Sequence, residues 1–253
     1  MRLICHKTTT KVAGDARANN EDAFLPKARR RESIRRFAMC DGATSSYAAR
    51  VWAQLLAGAF AAEGEQSERE RVYSAAKHYE VRFPATALAG LDHSTIEAFK
   101  RGSSATLLLL EQAEDDGEVR ATAVGDTCLF LMDSDYRICD AFPMSDASSF
   151  STSAYLITVT FDGLKSLFAD DTKDLYWKAK TLSPEACAGK RIVCATDAVA
   201  QWIALHKDVP CEIERLVKAV RHSNKKKFSH FVEFERRRGR MAVDDSTVVI
   251  LEV

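Results

Sequence analysis

The chain has 253 residues, 46% of them hydrophobic and 28% charged, with 36 basic residues balancing 36 acidic ones. These proportions exclude a disordered or collagen-like chain, and zero net charge removes the overall basicity of a nucleic-acid binder. Eleven glycines and five prolines leave little material for long flexible linkers, so one domain over residues 1–253 is expected.

In chain order, the opening MRLICHK lacks the apolar segment of a signal peptide. Short strand-type runs follow at Arg2–His6, Asp22–Leu25 and Ile34–Cys40, the last leading into Asp41-Gly42. Ala48, Val51, Trp52, Leu55, Leu56, Ala59 and Phe60 then recur at helical spacing, with Ser45 or Ser46 as the expected cap. The richest apolar stretch, Val51–Ala62, is interrupted by Gln54 and too short to span a bilayer. Helical patterns continue through Arg69–Tyr79 and Ala85–Lys100 until Gly102.

From Ser104 the period changes. Ala105–Leu110 and Val119–Val124 read as strands around an Asp116-Gly117 turn, and Thr127–Met132 and Tyr136–Cys139 as another hairpin. Residues 141–190 carry no clear periodicity. Ile192–Ala195 reads as a buried strand, Val199–Leu205 begins a helical region reaching about Arg238, and Thr247–Leu251 closes the chain as a strand. Helices and strands come in blocks, which predicts an α+β fold with two mostly antiparallel sheets face to face and helices outside each.

Two stretches are locally basic. Lys27–Arg36 holds six basic residues and one Glu, and Arg215–Arg240 ten basic residues and two Glu. Both read as solvated faces that also suit an anionic substrate. Phe228, Phe231 and Phe234 read as one buried stripe, and Trp52, Trp177 and Trp202 as core. Seven cysteines, an odd number with no C-x-x-C pair, read as small apolar residues of a reducing cytosol, and the six histidines show no ligand spacing. A cytoplasmic protein without membrane or nucleic-acid partners is expected.

The chemistry lies in carboxylates at strand ends. Asp22 precedes one apolar strand; Asp41, Asp126 and Asp197 each follow one; Asp244 and Asp245 precede the last. Charge at the margin of an apolar core is costly unless paired or bound to a cation, and no lysines or arginines occupy matching positions. An all-oxygen inventory suits Mg2+ or Mn2+, and aspartates from several strands can hold two ions for phosphate-ester hydrolysis. A cap or turn role is the ordinary alternative for any one of these aspartates.

Six segments, in order, resemble the metal-dependent protein phosphatases, the protein phosphatase 2C-like Ser/Thr phosphatases, as a divergent bacterial-type member. They are Arg17 ahead of Glu21-Asp22, Phe37–Gly42, Gly102-Ser-Ser-Ala-Thr106, Val124-Gly-Asp-Thr127, Ala195-Thr-Asp197 and Asp244-Asp-Ser-Thr247. The resemblance implies a four-layer αββα sandwich. It implies Mn2+ or Mg2+ as two ions, with Asp41 bridging them, the Gly42 carbonyl on one, and Asp197 and Asp244 completing the set. Asp22 and Glu21 would act through metal-bound water, and Asp126 would help hold a third, weaker ion. Arg17 would grip the substrate phosphate with its planar fork.

The implied reaction is hydrolysis of phosphoserine or phosphothreonine by attack of a metal-bridging water, without a covalent intermediate. The implied partners are a phosphoprotein and a cognate kinase. A binding module of the same fold without activity, or a two-metal hydrolase of another phosphoester, are the alternatives. The sequence departs from the family pattern at Ala43, where some members carry a histidine, and at Thr44-Ser45-Ser46 in place of a glycine pair. It departs again at Ala198 in place of glycine and at Met144-Ser-Asp146, where an Asp-His segment is expected.

Overall fold

A computed structural model describes residues 1–11, 19–27, 32–84, 90, 92–115, 117–151, 155–160, 177–224 and 226–253. Three strands lead: β1 (Arg2–Thr9), β2 (Ala23–Leu25) and β3 (Arg36–Cys40). Three helices follow: α1 (Ala49–Ala61), α2 (Glu68–Arg82) and α3 (His93–Arg101). Next come β4 (Ser103–Ala105), β5 (Leu107–Gln112), β6 (Val119–Val124), β7 (Cys128–Met132), β8 (Ile138–Phe142), β9 (Ile157–Val159) and β10 (Lys178–Leu182). The short α4 (Pro184–Cys187) precedes β11 (Arg191–Ala195), then α5 (Asp197–His206), α6 (Pro210–Arg221), α7 (Lys226–Arg237) and β12 (Ser246–Glu252).

The strands form two five-stranded sheets, ordered β1-β12-β11-β7-β8 and β10-β6-β5-β3-β2, with β4 and β9 as a separate pair. Every pairing is antiparallel. The continuous apolar runs have a direct cause, since each central strand is covered on both faces. In β5, Leu108 and Leu110 pack against the other sheet while Leu107 and Leu109 pack beneath α1 and α2. In β7, Leu129 and Leu131 face inward and Cys128, Phe130 and Met132 face α5–α7, and β12 divides the same way between Val249 and Leu251 and Val248 and Ile250. The outcome is the αββα sandwich.

Local rules explain the ends of the elements, with one correction. Ser67 and Glu70 close a reciprocal capping box on α2, and Asp92 caps α3 through the Thr95 amide. Of the helical pattern over 85–100, His93 onward lies in α3, and residues 85–89 and 91 lie outside the described residues. Neither Ser45 nor Ser46 caps α1. Its N-cap is Ala48, left-handed at φ 51 and without a side-chain bond, because Ser46 Oγ instead accepts the Ser104 amide at 3.2 Å. The far end of α1 is capped from α2, where the buried Arg71 guanidinium donates to the carbonyls of Ala59, Ala62 and Gly64.

Trp52 and Trp202 are buried as expected, and half-buried Trp177 packs on Phe60. The Phe stripe holds for Phe228 and Phe231 only. Phe234 is exposed, covered on its faces by the Arg215 and Arg238 guanidinia. Cys40, Cys128, Cys187 and Cys194 are buried thiols, whereas Cys139 and Cys211 are exposed. Among the described residues no helix is long and apolar enough to cross a membrane.

Candidate metal centre

Antiparallel register brings the carboxylates together. Cys40 at the end of β3 pairs with Ala23 at the start of β2, and Leu107 at the start of β5 with Val124 at the end of β6. In the other sheet Ala195, ending β11, pairs with Val248 of β12 and with Cys128, which starts β7. Asp22, Asp41, Asp126, Asp197 and Asp244 therefore all emerge at one end of the sandwich, from both sheets. Arg17, the expected phosphate ligand, lies outside the described residues.

Asp22 and Asp41 keep some accessible surface, but their carboxyls are buried. The Asp41 carboxyl feels the charges of Asp22, Asp197 and Asp126. Burial, followed by the charges of Asp22 and Asp197, holds the Asp41 carboxyl well above the usual range. Burial raises Asp22 to about 7, with repulsion from Asp245 and Asp197 adding to it and a Thr247 hydrogen bond opposing it. Burial likewise raises Asp197 to about 7, assisted by Asp244 and Asp126. Asp126 is raised by burial and by Asp244. Among the described residues no lysine or arginine is a main influence on any of the four.

Backbone and hydroxyl groups hold this array. Thr106 Oγ1 accepts the Asp41 amide at 2.9 Å and lies 2.6 Å from Thr127 Oγ1, while the Thr106 amide donates to the Asp41 carbonyl. Thr196 Oγ1 accepts the Thr247 amide at 3.0 Å and donates to Asp22 Oδ2 at 3.1 Å, tying one sheet to the other. Asp245, almost fully buried, is a brace: its oxygens accept the amides of Lys11 at 2.8 Å and Glu21 at 2.6 Å, and its own amide donates to Asp244 Oδ1.

Two glycines fit by close approach. A Cβ on Gly42 would sit 2.9 Å from the Glu21 carbonyl oxygen, and one on Gly125, at φ 92, would sit 2.6 Å from Thr106 Cγ2. Ala198 needs no such freedom, because it lies in the first turn of α5. Glu21 stands at the rim with Lys11 and Thr44, where Lys11 Nζ donates to Glu21 Oε2 and to Thr44 Oγ1, both at 2.9 Å. Burial opposes the lysine's charge, but Glu21 raises its pKa. Asp146, in the segment that departs from the expected Asp-His, is exposed and pairs with Lys207.

Residues that sequence reasoning missed are Lys11, Thr106, Thr196 and Asp245 in this role. The Thr106 and Thr196 signal was present, since each threonine borders an apolar strand within a quoted segment.

Among the described residues no group of three or more His, Cys, Asp or Glu side chains is placed to hold a metal ion as it stands. Three observations nonetheless fit a hard cation. Asp22 Oδ1 is buried without a hydrogen-bond partner among the described residues. The carboxyls repel one another, and among the described residues no cation is a main influence on them. The donors gathered are carboxylate oxygens, the set that Mg2+ and Mn2+ prefer.

No protein-family signature matches this chain, and no curated protein matches it. Solved structures do. The chain is similar to the Mycobacterium tuberculosis serine/threonine phosphatase PstP/Ppp, at 18% identity and TM-score 0.51 over 100% of both chains. It is similar to PppA, a key regulatory component of T6SS in Pseudomonas aeruginosa, at 13% identity and TM-score 0.52, covering 100% of this chain and 99% of that one. A variant bacterial serine phosphatase gives 14% identity and TM-score 0.55 over 100% and 99%. The fold is that of the protein phosphatase 2C-like phosphatases.

Proposed function

We propose that the chain is a metal-dependent protein serine/threonine phosphatase, with residues 1–253 forming its catalytic domain. One observation carries the reading: Asp22, Asp41, Asp126, Asp197 and Asp244 converge from two sheets, and among the described residues no cation is a main influence on Asp22, Asp41, Asp126 or Asp197. On a phosphatase fold, that arrangement is best satisfied by divalent ions.

Asp41, Asp197, Asp244 and the Gly42 carbonyl would hold two ions, Mn2+ or Mg2+, with Asp22 and Glu21 beside them and Asp126 toward a third. Bound there, divalent ions supply a water of lowered pKa and polarise phosphoryl oxygens. The protein's own groups do the rest. The Thr106 hydroxyl fixes Asp41 through its backbone amide, and Thr196 fixes Asp22. Arg17 would grip the phosphate, and the Lys11–Glu21–Thr44 cluster gives the rim a fixed cation and a hydroxyl in place of the family histidine at Ala43. The substrate would be a phosphoprotein supplied by a kinase. Free thiols, with no disulfide among the described residues, suit a cytoplasmic setting.

The test is hydrolysis of a phosphothreonine peptide with added Mn2+. Metal-dependent turnover by wild type, lost on chelation and in Asp41→Asn, is the expected result. Mn2+ binding without turnover of any phosphopeptide overturns the substrate assignment, and absence of metal binding overturns the enzyme reading.

A further inference from the structure

The basic run Arg236–Arg240 reads from sequence as a solvated face, yet it splits. Arg237 and Arg238 are exposed, while Arg236 and Arg240 are half-buried and turned inward. Arg240 joins Arg215 on the fully buried Glu235 carboxylate. Arg236 points elsewhere, toward the strand ends that carry the acidic site.

Its guanidinium is saturated by acceptors from two separate stretches of chain. Nη1 donates to the carbonyls of Thr10 at 3.1 Å and Lys11 at 3.4 Å. Nη2 donates to the Asp244 carbonyl and, at 3.1 Å, to Ser246 Oγ, and Nε donates to the Ala242 carbonyl at 3.3 Å. The place matters. The register between β1 and β12 runs from Arg2 opposite Glu252 to Thr9 opposite Ser246 and ends there. Asp244 lies just past the last pair, so the sheet ladder no longer fixes it. Beyond that point the two segments are joined by Arg236, through the carbonyls, and by Asp245, through the Lys11 and Glu21 amides.

An acceptor-rich junction of this shape suits arginine in particular. Its planar fork carries five N–H donors in fixed directions, whereas lysine offers one compact ammonium on a flexible stem. Its hydrogen bonds go to carbonyls and one hydroxyl, not to carboxylate oxygens, although the charges of Asp244 and Asp245 reach it.

We infer that Arg236 is a positioning residue of the candidate metal centre, clamping the Asp244 turn to the end of β1 so that the Asp244 carboxylate is held ready for a divalent ion. This rests on the reading of Asp244 as a ligand given above. It acts through Asp244 and touches neither substrate nor ion. Outer contacts that orient metal ligands typically change affinity by about 10–100-fold when removed, and that is the size of effect expected here.

The experiment titrates Mn2+ into the full metal-free chain, followed by electron paramagnetic resonance of the free ion. It compares wild type, Arg236→Ala, Arg236→Lys, Asp244→Asn and the Arg236→Ala/Asp244→Asn double variant. Amide exchange of the metal-free proteins is measured alongside. Arg236→Ala should weaken Mn2+ binding about 10–100-fold and speed exchange at the Lys11 and Asp245 amides but not within α5. Arg236→Lys, which keeps the charge without the fork, should fall between it and wild type. With Asp244 already replaced, Arg236→Ala should add little further loss.

Wild-type affinity in Arg236→Ala overturns the inference alone. So does an equal loss in the Asp244→Asn background, or faster exchange spread through α5, since either marks a general loss of structure. Wild type that binds no Mn2+ overturns the metal reading, and this inference with it.

Discussion

Replacing Asp22 by asparagine should stabilise the metal-free protein, and by an amount that depends on pH. The Asp22 carboxyl rises from its ordinary value near 3.8 to about 7 on folding, chiefly through burial. The folded state therefore keeps a proton that the unfolded chain releases, and its stabilising effect is complete below about pH 4 and lost as pH rises through about 7. Forcing this one carboxylate to ionise in the fold costs about 4 kcal/mol. Asparagine matches the protonated acid in shape. It keeps an oxygen for Thr196 Oγ1 and puts an N–H where Oδ1 now has no partner among the described residues.

Allowing about 1 kcal/mol for imperfect hydrogen bonding, the variant should gain about 3 kcal/mol at pH 8 and lose about 0.5 kcal/mol at pH 4. In a chain of this size the gain at pH 8 is a rise in Tm of about 6–12 °C. Because Asp22 and Asp197 act on each other, replacing both should give less than twice the gain. The assay is thermal unfolding in chelator at both pH values. A Tm at pH 8 that is unchanged or lower, or a gain equal at the two pH values, would refute the claim that burying an ionised Asp22 strains this site.

Two further outcomes test the supports around it. Thr106→Val keeps the volume but leaves the Asp41 amide without its acceptor and breaks the pairing with Thr127, so it should cost about 1–2 kcal/mol in urea unfolding and weaken Mn2+ binding; unchanged stability would show that these hydroxyls are dispensable. Glu235→Ala removes the buried carboxylate shared by Trp202, Arg215 and Arg240, and should cost about 3 kcal/mol, toward the lower end for a broken buried pair because Arg215 can swing into water. A loss below about 1 kcal/mol there would mean the network contributes packing and little else.

The legible parts of this protein share a physical cause. A strand covered on both faces must be apolar at every position, so the aspartate that ends it breaks a pattern that nothing else interrupts. Asp41 after Phe37–Cys40 and Asp197 after Ile192–Ala195 stand out for that reason, and the antiparallel register then brings them to one end. The strand at Lys178–Leu182 gave no such signal. It is an edge strand in which only Leu182 is buried and Lys180 pairs with Asp140 of β8, so its composition resembles a loop.

The supports escaped for a different reason. Arg236 and Asp245 work by bonding backbone amides and carbonyls, and any residue supplies those, so no residue type at the partner positions betrays the contact. Arg236 was hidden further by its neighbours: a run of arginines reads as solvated on average, while on a helix successive residues point about 100° apart and cannot share one environment. The same run thus sends Arg237 and Arg238 to water and Arg236 to the junction beside Asp244. Charge runs on helices that border a strand end are therefore better read residue by residue, against the unpaired carbonyls the ladder leaves behind.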